Sequence, residues 1–159
     1  MDVPSPLDRT DLRLLALLQT DGRASNAELA ARINLSPSAC LRRIQRLEAA
    51  GIIAGYGARL EARALGLGLQ AFVRVQLAQH DQPAIERFAT AVTSWDEVVA
   101  CHALTGDMDY LLHILVRDLD HFSRFLLDRL LAQAGVADVN SSFVLRTVKD
   151  AAGIPLPTT

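Results

Sequence analysis

The stretch LSPSACLRRIQRLEAAG, Leu35–Gly51, decides how the first third of the chain is read. Ser36 is a natural N-cap, and Pro37 suits the first helical position, where its missing N–H costs nothing. Gly51 stands where a helix commonly ends, one residue past the C-terminus. Between them Cys40, Leu41, Ile44 and Leu47 recur at three- and four-residue steps and are expected to face a core. Ser38, Arg42 and Gln45 fall on another face, with Arg43 and Arg46 on its flank. A basic face on one helix is notable in a chain of 159 residues with a formal net charge of −2.

Working backwards, two more helices precede it. Asp8 is a plausible N-cap, with Asp11 at the third helical position near the positive end of the dipole. Leu12, Leu15 and Leu18 then form a stripe that ends at Asp21-Gly22. Ser25 and Glu28 make a capping box for a short second helix, after which Asn34-Leu35 turns the chain into the opening stretch. Two helices joined by a tight turn, the second polar-faced and basic, match a helix-turn-helix. A helix fits the B-DNA major groove, about 12 Å wide, where Arg forks onto guanine or clamps phosphate and Gln reads adenine. Ser hydroxyls and the helix N-terminus can hold phosphate oxygens. The competing reading is a solvated face whose arginines only aid solubility. The following IIAGYGARL reads as a short strand, a wing beside the helices.

Charge divides along the chain. Up to Leu60 eight arginines face six acids, and from Glu61 onward eight basic residues face twelve acidic ones. The second part alternates differently: QAFVRVQLAQ, EVVACHAL, YLLHILV and VADVNSSFVLRTV read as strands, and DQPAIERFATAVTSW and DLDHFSRFLLDRLLAQ as helices. The order is βαββαβ, a ferredoxin-like unit whose sheet leaves one face open to a second copy. The expected class is α+β. Expected domains are a winged helix-turn-helix at 1–60, a linker at 61–69 and a βαββαβ domain at 70–159.

The chemistry-bearing residues form no catalytic constellation. His80, His102, His113 and His121 are dispersed without metal-ligand spacing, and no Gly-rich phosphate loop occurs. No metal or cofactor is therefore expected. Cys40 and Cys101 are expected to pack, and their separation suits a reduced, cytoplasmic protein. No apolar run approaches the roughly 20 residues that span a bilayer, and the first residues lack the order of a secretion signal. The turn Thr105-Gly106-Asp107-Met108-Asp109-Tyr110 offers two carboxylates, a hydroxyl and backbone amides. It can hold a small zwitterion, or it can be an ordinary hairpin rich in Gly and Asp.

Taken together, LDRTDLRLLALLQTDGRASNAELAARINLSPSACLRRIQRLEAAGIIAGY and VVACHALTGDMDYLLHILVRDLDHF, in this order and separation, resemble the Lrp/AsnC (leucine-responsive, feast/famine) transcriptional regulators. The resemblance covers nearly the whole chain. It implies a winged helix-turn-helix, a linker strand and a ligand-sensing βαββαβ domain, in a homodimer that commonly assembles to an octamer. The implied partners are double-stranded DNA and an amino-acid effector. The implied DNA reader runs from Asn26 to Gln45, with Ser36, Pro37, Ser38, Arg42, Arg43 and Arg46 at the contact surface. The implied effector pocket gathers Thr105, Gly106, Asp107, Asp109 and Tyr110, with Val139 and Ser141 on the last strand. The family often places hydroxyl residues at both of those last positions, so Val139 is a departure. The rival class is a haem-precursor (siroheme-type) decarboxylase of similar architecture, which needs a His/Tyr/Arg cluster; a third reading is a stand-alone amino-acid sensor. The tail KDAAGIPLPTT has no assigned role.

Overall fold

The computed structural model describes residues 7–150 and 153–157. The N-terminal stretch examined for a secretion signal and the outermost domain bounds therefore fall partly outside the described residues. The chain forms two compact units. One comprises the described residues up to Arg59 together with those from Lys149 onward, the other Leu60–Val148.

The first unit contains α1 (Arg9–Thr20), α2 (Asn26–Arg32) and α3 (Pro37–Ala49). Each begins on the cap expected. Asp8 and Asp11 close a reciprocal capping box on α1, Ser25 and Glu28 do so on α2, and Ser36 caps α3. The turn between α2 and α3 passes through Asn34 in the left-handed region, φ 56°, a conformation Asn tolerates better than most side chains. The core joins Leu14, Leu15, Leu29, Ala30, Ile33, Cys40 and Leu47. Two expectations fail. Leu41 is 45% exposed rather than buried, because the inward stripe of this short helix is filled by Cys40, Ile44 and Leu47. Residues 52–60 form no strand, since no second strand stands beside them to complete a ladder.

The second unit runs β1 (Leu69–Leu77), α4 (Gln82–Thr93), β2 (Val98–Ala103), β3 (Tyr110–Val116), α5 (Leu119–Phe125) and β4 (Val136–Phe143). A single 3-10 turn, Arg63–Leu65, precedes them in the expected linker, and one wide π turn, Leu126–Leu130, extends α5. The sheet is antiparallel in the order β2-β3-β1-β4, the expected βαββαβ arrangement. Ala71, Val73, Val75 and Leu77 alternate inward on β1 and pack with Leu112, Ile114 and Val116 against Phe88, Val92, Phe122, Phe125 and Leu130. Cys101, expected to pack, lies within a strand but sits exposed, because that strand, β2, is an edge strand with no neighbour on one side.

The uncovered face of the sheet is mixed rather than uniformly apolar. The register places Phe72, Arg74 and Gln76 of β1 beside Ser142, Asn140 and Asp138 of β4, with Leu111 and His113 of β3 on the other side. His113 stacks on Phe72 at 4.8 Å, and its Nε2 lies 2.6 Å from the Gln70 amide nitrogen. Burial pushes the His113 pKa below its ordinary value of about 6.5. The unfolded chain therefore takes up this proton first as pH falls. The stabilisation by neutral His113 is complete above pH ~6.5 and is lost as pH drops through the folded-state pKa. An NMR titration should give His113 a pKa below those of exposed histidines, and His113→Gln should flatten acid loss of stability over that window; an ordinary pKa refutes this.

Candidate functional site

The polar face of α3 is built by its caps. Ser36 Oγ accepts from the Ala39 N–H at 3.3 Å and lies 3.2 Å from Ser38 Oγ. Asn26, the first residue of α2, donates through Nδ2 to the Pro37 carbonyl at 2.8 Å, tying together the starts of the two helices. Its Oδ1 is buried without a partner among the described residues. Arg42 and Gln45 are exposed one turn apart, and neither side chain has a hydrogen-bond partner among the described residues.

The other two arginines are placed differently. Arg43 Nη1 reaches both Asp8 Oδ2 and Asp11 Oδ1 at 2.7 Å, and Arg46 Nη2 pairs with Asp11 Oδ2. Asp11 is completely buried, the one buried polar residue among those described, while Arg43 and Arg46 keep 28% and 46% of their side chains in solvent. The Asp11 backbone N–H and the Arg43 guanidinium hold the Asp8 carboxyl below its usual pKa. Hydrogen bonds to Asp8 and Asp11 in turn push the Arg43 pKa up. Sequence reading placed Asp11 on the helix dipole alone. Its partners lie 32 and 35 residues away, a separation that no local pattern reports.

In the second unit, Thr105, Gly106 and Asp107 are exposed at the β2–β3 turn, with Gly106 at φ 117°. Asp109 is not free in the same way. Its Oδ2 accepts the Leu77 N–H at 2.7 Å and its Oδ1 lies 2.9 Å from His80 Nε2, while its own N–H donates to Val75 O at 2.9 Å. Asp109 thus clamps the turn to the end of β1. Tyr110 packs on Phe88 at 4.7 Å, and burial raises its phenol pKa. Tyr110, Val75 and Val139 share one cross-strand row, and Leu112, Val73 and Ser141 the next. Val139 therefore sits at the turn's end of the sheet and Ser141 one pleat further along.

His102 and Tyr110, the two groups an enzyme cluster would need, do not converge. His102 pairs with Leu111, next to Tyr110 in sequence, so the pleat sends the two rings to opposite faces of the sheet. No group of three His, Cys, Asp or Glu among the described residues can hold a metal ion.

Residues 7–54 match the family described as winged helix-turn-helix DNA-binding, and residues 70–154 the Lrp/AsnC ligand binding domain. The leucine-responsive regulatory protein of Escherichia coli K12 is 42% identical over 143 residues, 90% of this chain and 87% of its own. That of Rhizobium meliloti is 38% identical over 156 residues, 98% of this chain and 100% of its own. The chain belongs to the Lrp/AsnC family of transcriptional regulators. A transcriptional regulator of Neisseria meningitidis, solved in complex with L-methionine, matches this Lrp/AsnC regulator with a TM-score of 0.91. It is 48% identical and covers 94% of this chain and 97% of its own. An AsnC family regulator from Agrobacterium tumefaciens matches with a TM-score of 0.88 at 33% identity, over 94% and 97% of the two chains. The chain thus carries a DNA-binding winged helix-turn-helix and a ligand-binding domain. Among the described residues no helix is long and apolar enough to cross a membrane.

Removing the buried acid leaves Arg46 without its partner and Arg43 with Asp8 alone. Because both arginines are partly hydrated, the cost falls below that of a fully buried pair. Asp11→Ala should destabilise the DNA-binding unit by about 1–3 kcal/mol in urea unfolding, leaving the ligand-binding unit's transition in place; an unchanged midpoint for the first unit removes the pair from its stability.

Proposed function

We propose that this regulator reads its operator chiefly through Arg42 and Gln45 of α3, and that its DNA binding or assembly responds to an amino acid held at the Thr105–Tyr110 turn. The observation that carries the first part is the division among the arginines: Arg43 and Arg46 are bound to Asp8 and Asp11, whereas Arg42 has no partner among the described residues. An exposed, unengaged guanidinium beside Gln45 meets the donor and acceptor needs of base edges. Ser36, Ser38, Pro37 and Asn26 then shape the helix start, where backbone N–H groups and hydroxyls suit phosphate. Arg43 and Arg46, oriented by their acids, lie at the flank of this surface.

For the effector, Thr105, the Gly106 amide and Asp107 supply a hydroxyl, an N–H and a carboxylate that are unengaged, which suits the two charges of an amino acid. The relatives named for leucine and the Neisseria regulator complexed with L-methionine support this class of ligand. Since those groups are exposed within one chain, the remaining wall of the pocket comes from another subunit. Homodimerisation through the open sheet face around Phe72, Leu111 and His113 follows the same logic, with mixed polarity typical of non-obligate interfaces. Leu127 and Leu131, 61% and 47% exposed, offer a contact for assembly beyond the dimer, to an octamer. Such a regulator works in the cytoplasm, where its DNA is. An effector at a subunit contact shifts assembly by its difference in affinity between the two states, typically about 1–3 kcal/mol.

The first test is genomic pull-down with sequencing, with and without a mixture of the twenty amino acids; a pseudo-palindromic site whose enrichment changes with the mixture is expected. On that site Arg42→Ala should weaken binding by about 1–3 kcal/mol, with specificity relaxed at one position. A small loss equal on all sequences would place Arg42 on phosphate. Asp107→Ala should abolish the amino-acid response in a DNA-binding titration while basal binding persists. An unchanged dose response removes the turn from the pocket.

A further inference from the structure

The tail left without a role by sequence reading packs with the DNA-binding unit. Gln19, near the end of α1, meets it with both ends of its amide. The Ile154 N–H donates to Gln19 Oε1 at 2.7 Å, and Gln19 Nε2 donates to Ile154 O at 3.3 Å. The side chain thereby imitates a β-bridge to an otherwise unpaired segment. Leu156, half-buried, packs against the core cluster of this unit. Together Ile154 and Leu156 line an apolar cleft of about 230 Å³ whose other walls include Leu15, Leu18, Ile52, Ile53 and Tyr56.

The sequence of the tail suits docking. In Gly153-Ile154-Pro155-Leu156-Pro157 the two prolines fix φ and bias the residues before them to extended backbone, so little freedom remains to be lost on binding. Gly153 takes φ 111°, and a Cβ there would collide with the Gln19 amide. Opposite the tail lies the segment after α3, which forms no strand. It is held by the Ile52 and Ile53 N–H groups, both donating to Leu47 O at 2.9 and 3.2 Å, and by Tyr56 donating to Glu48 at 2.9 Å.

We propose that residues 153–157 are a clasp of the DNA-binding unit, walling one side of the cleft between α1 and the segment after α3 and holding that segment in place of a strand partner. The clasp is bonded to α1 and shares a cleft with residues 52–56, and neither Arg42 nor Gln45 lines that cleft, so it steadies the reading helix without covering it. In the sequence, residues 144–152 join the clasp to β4, the strand carrying Val139 and Ser141. A displacement of β4 on effector binding, which rests on the functional reading above, therefore has a covalent route to the DNA-binding unit.

Hydrogen exchange on the full chain, without DNA or amino acid, tests the clasp independently of that reading. Compared with the natural chain, a chain ending at Asp150 should exchange the Ile52 and Ile53 amides at least ~10-fold faster, with Ala71–Val75 of the central strand unchanged. Gln19→Ala and Gly153→Val, which keep the tail, should move the same amides in the same direction and carry the test should the shortened chain lose its first unit altogether. Operator affinity should fall by ~10-fold in parallel. Unaltered exchange at Ile52 and Ile53 in all three variants overturns the clasp, and faster exchange with tighter operator binding overturns it in favour of an autoinhibitory cover. Faster exchange in a protein that never binds DNA specifically supports the clasp and refutes the operator reading instead.

Discussion

Asp11 is fully buried, and its carboxylate accepts from Arg43, from Arg46 and from the Asp8 N–H at once. An isolated carboxylate at such a site would be prohibitively costly, so the two guanidiniums are a condition of its burial. The pairing sets where α3 lies against α1, and with it the direction in which the remaining polar face of α3 points. Apolar packing alone, through Cys40, Ile44 and Leu47, would leave the rotation of α3 less defined, because smooth side chains tolerate small turns about the helix axis. Charged hydrogen bonds with fixed geometry do not.

That constraint divides the labour among three arginines that look alike in sequence. Arg43 and Arg46 are oriented inward-facing partners of acids, and Arg42 is left to solvent. The Ser36 cap and the Asn26–Pro37 hydrogen bond fix the start of the same helix, so the polar surface of α3 is organised at both ends within the free protein. Preorganisation of this kind lowers the ordering cost of binding.

The ligand-binding unit uses a carboxylate in a comparable way. Asp109 joins the β2–β3 turn to the Leu77 N–H and His80, which steadies the backbone around Thr105, Gly106 and Asp107 while leaving those three exposed. Of two acids in one turn, one is structural and one is available. The distinction follows from which of them the end of β1 reaches, and the spacing of residues in the turn does not contain it.

Local chemistry determined a great deal by itself. Caps at Asp8, Ser25 and Ser36, the helical and alternating apolar periods, and the βαββαβ order are legible because each arises from neighbours in the chain or from a repeat along it. Tertiary structure alone decided that Leu41 and Cys101 face solvent, that residues 52–60 lack a strand partner and that the tail returns to α1. It alone also decided which arginine and which aspartate stay unengaged. These are contacts between residues far apart in sequence, set by which surfaces meet once the helices and strands have formed, and no local pattern encodes the meeting.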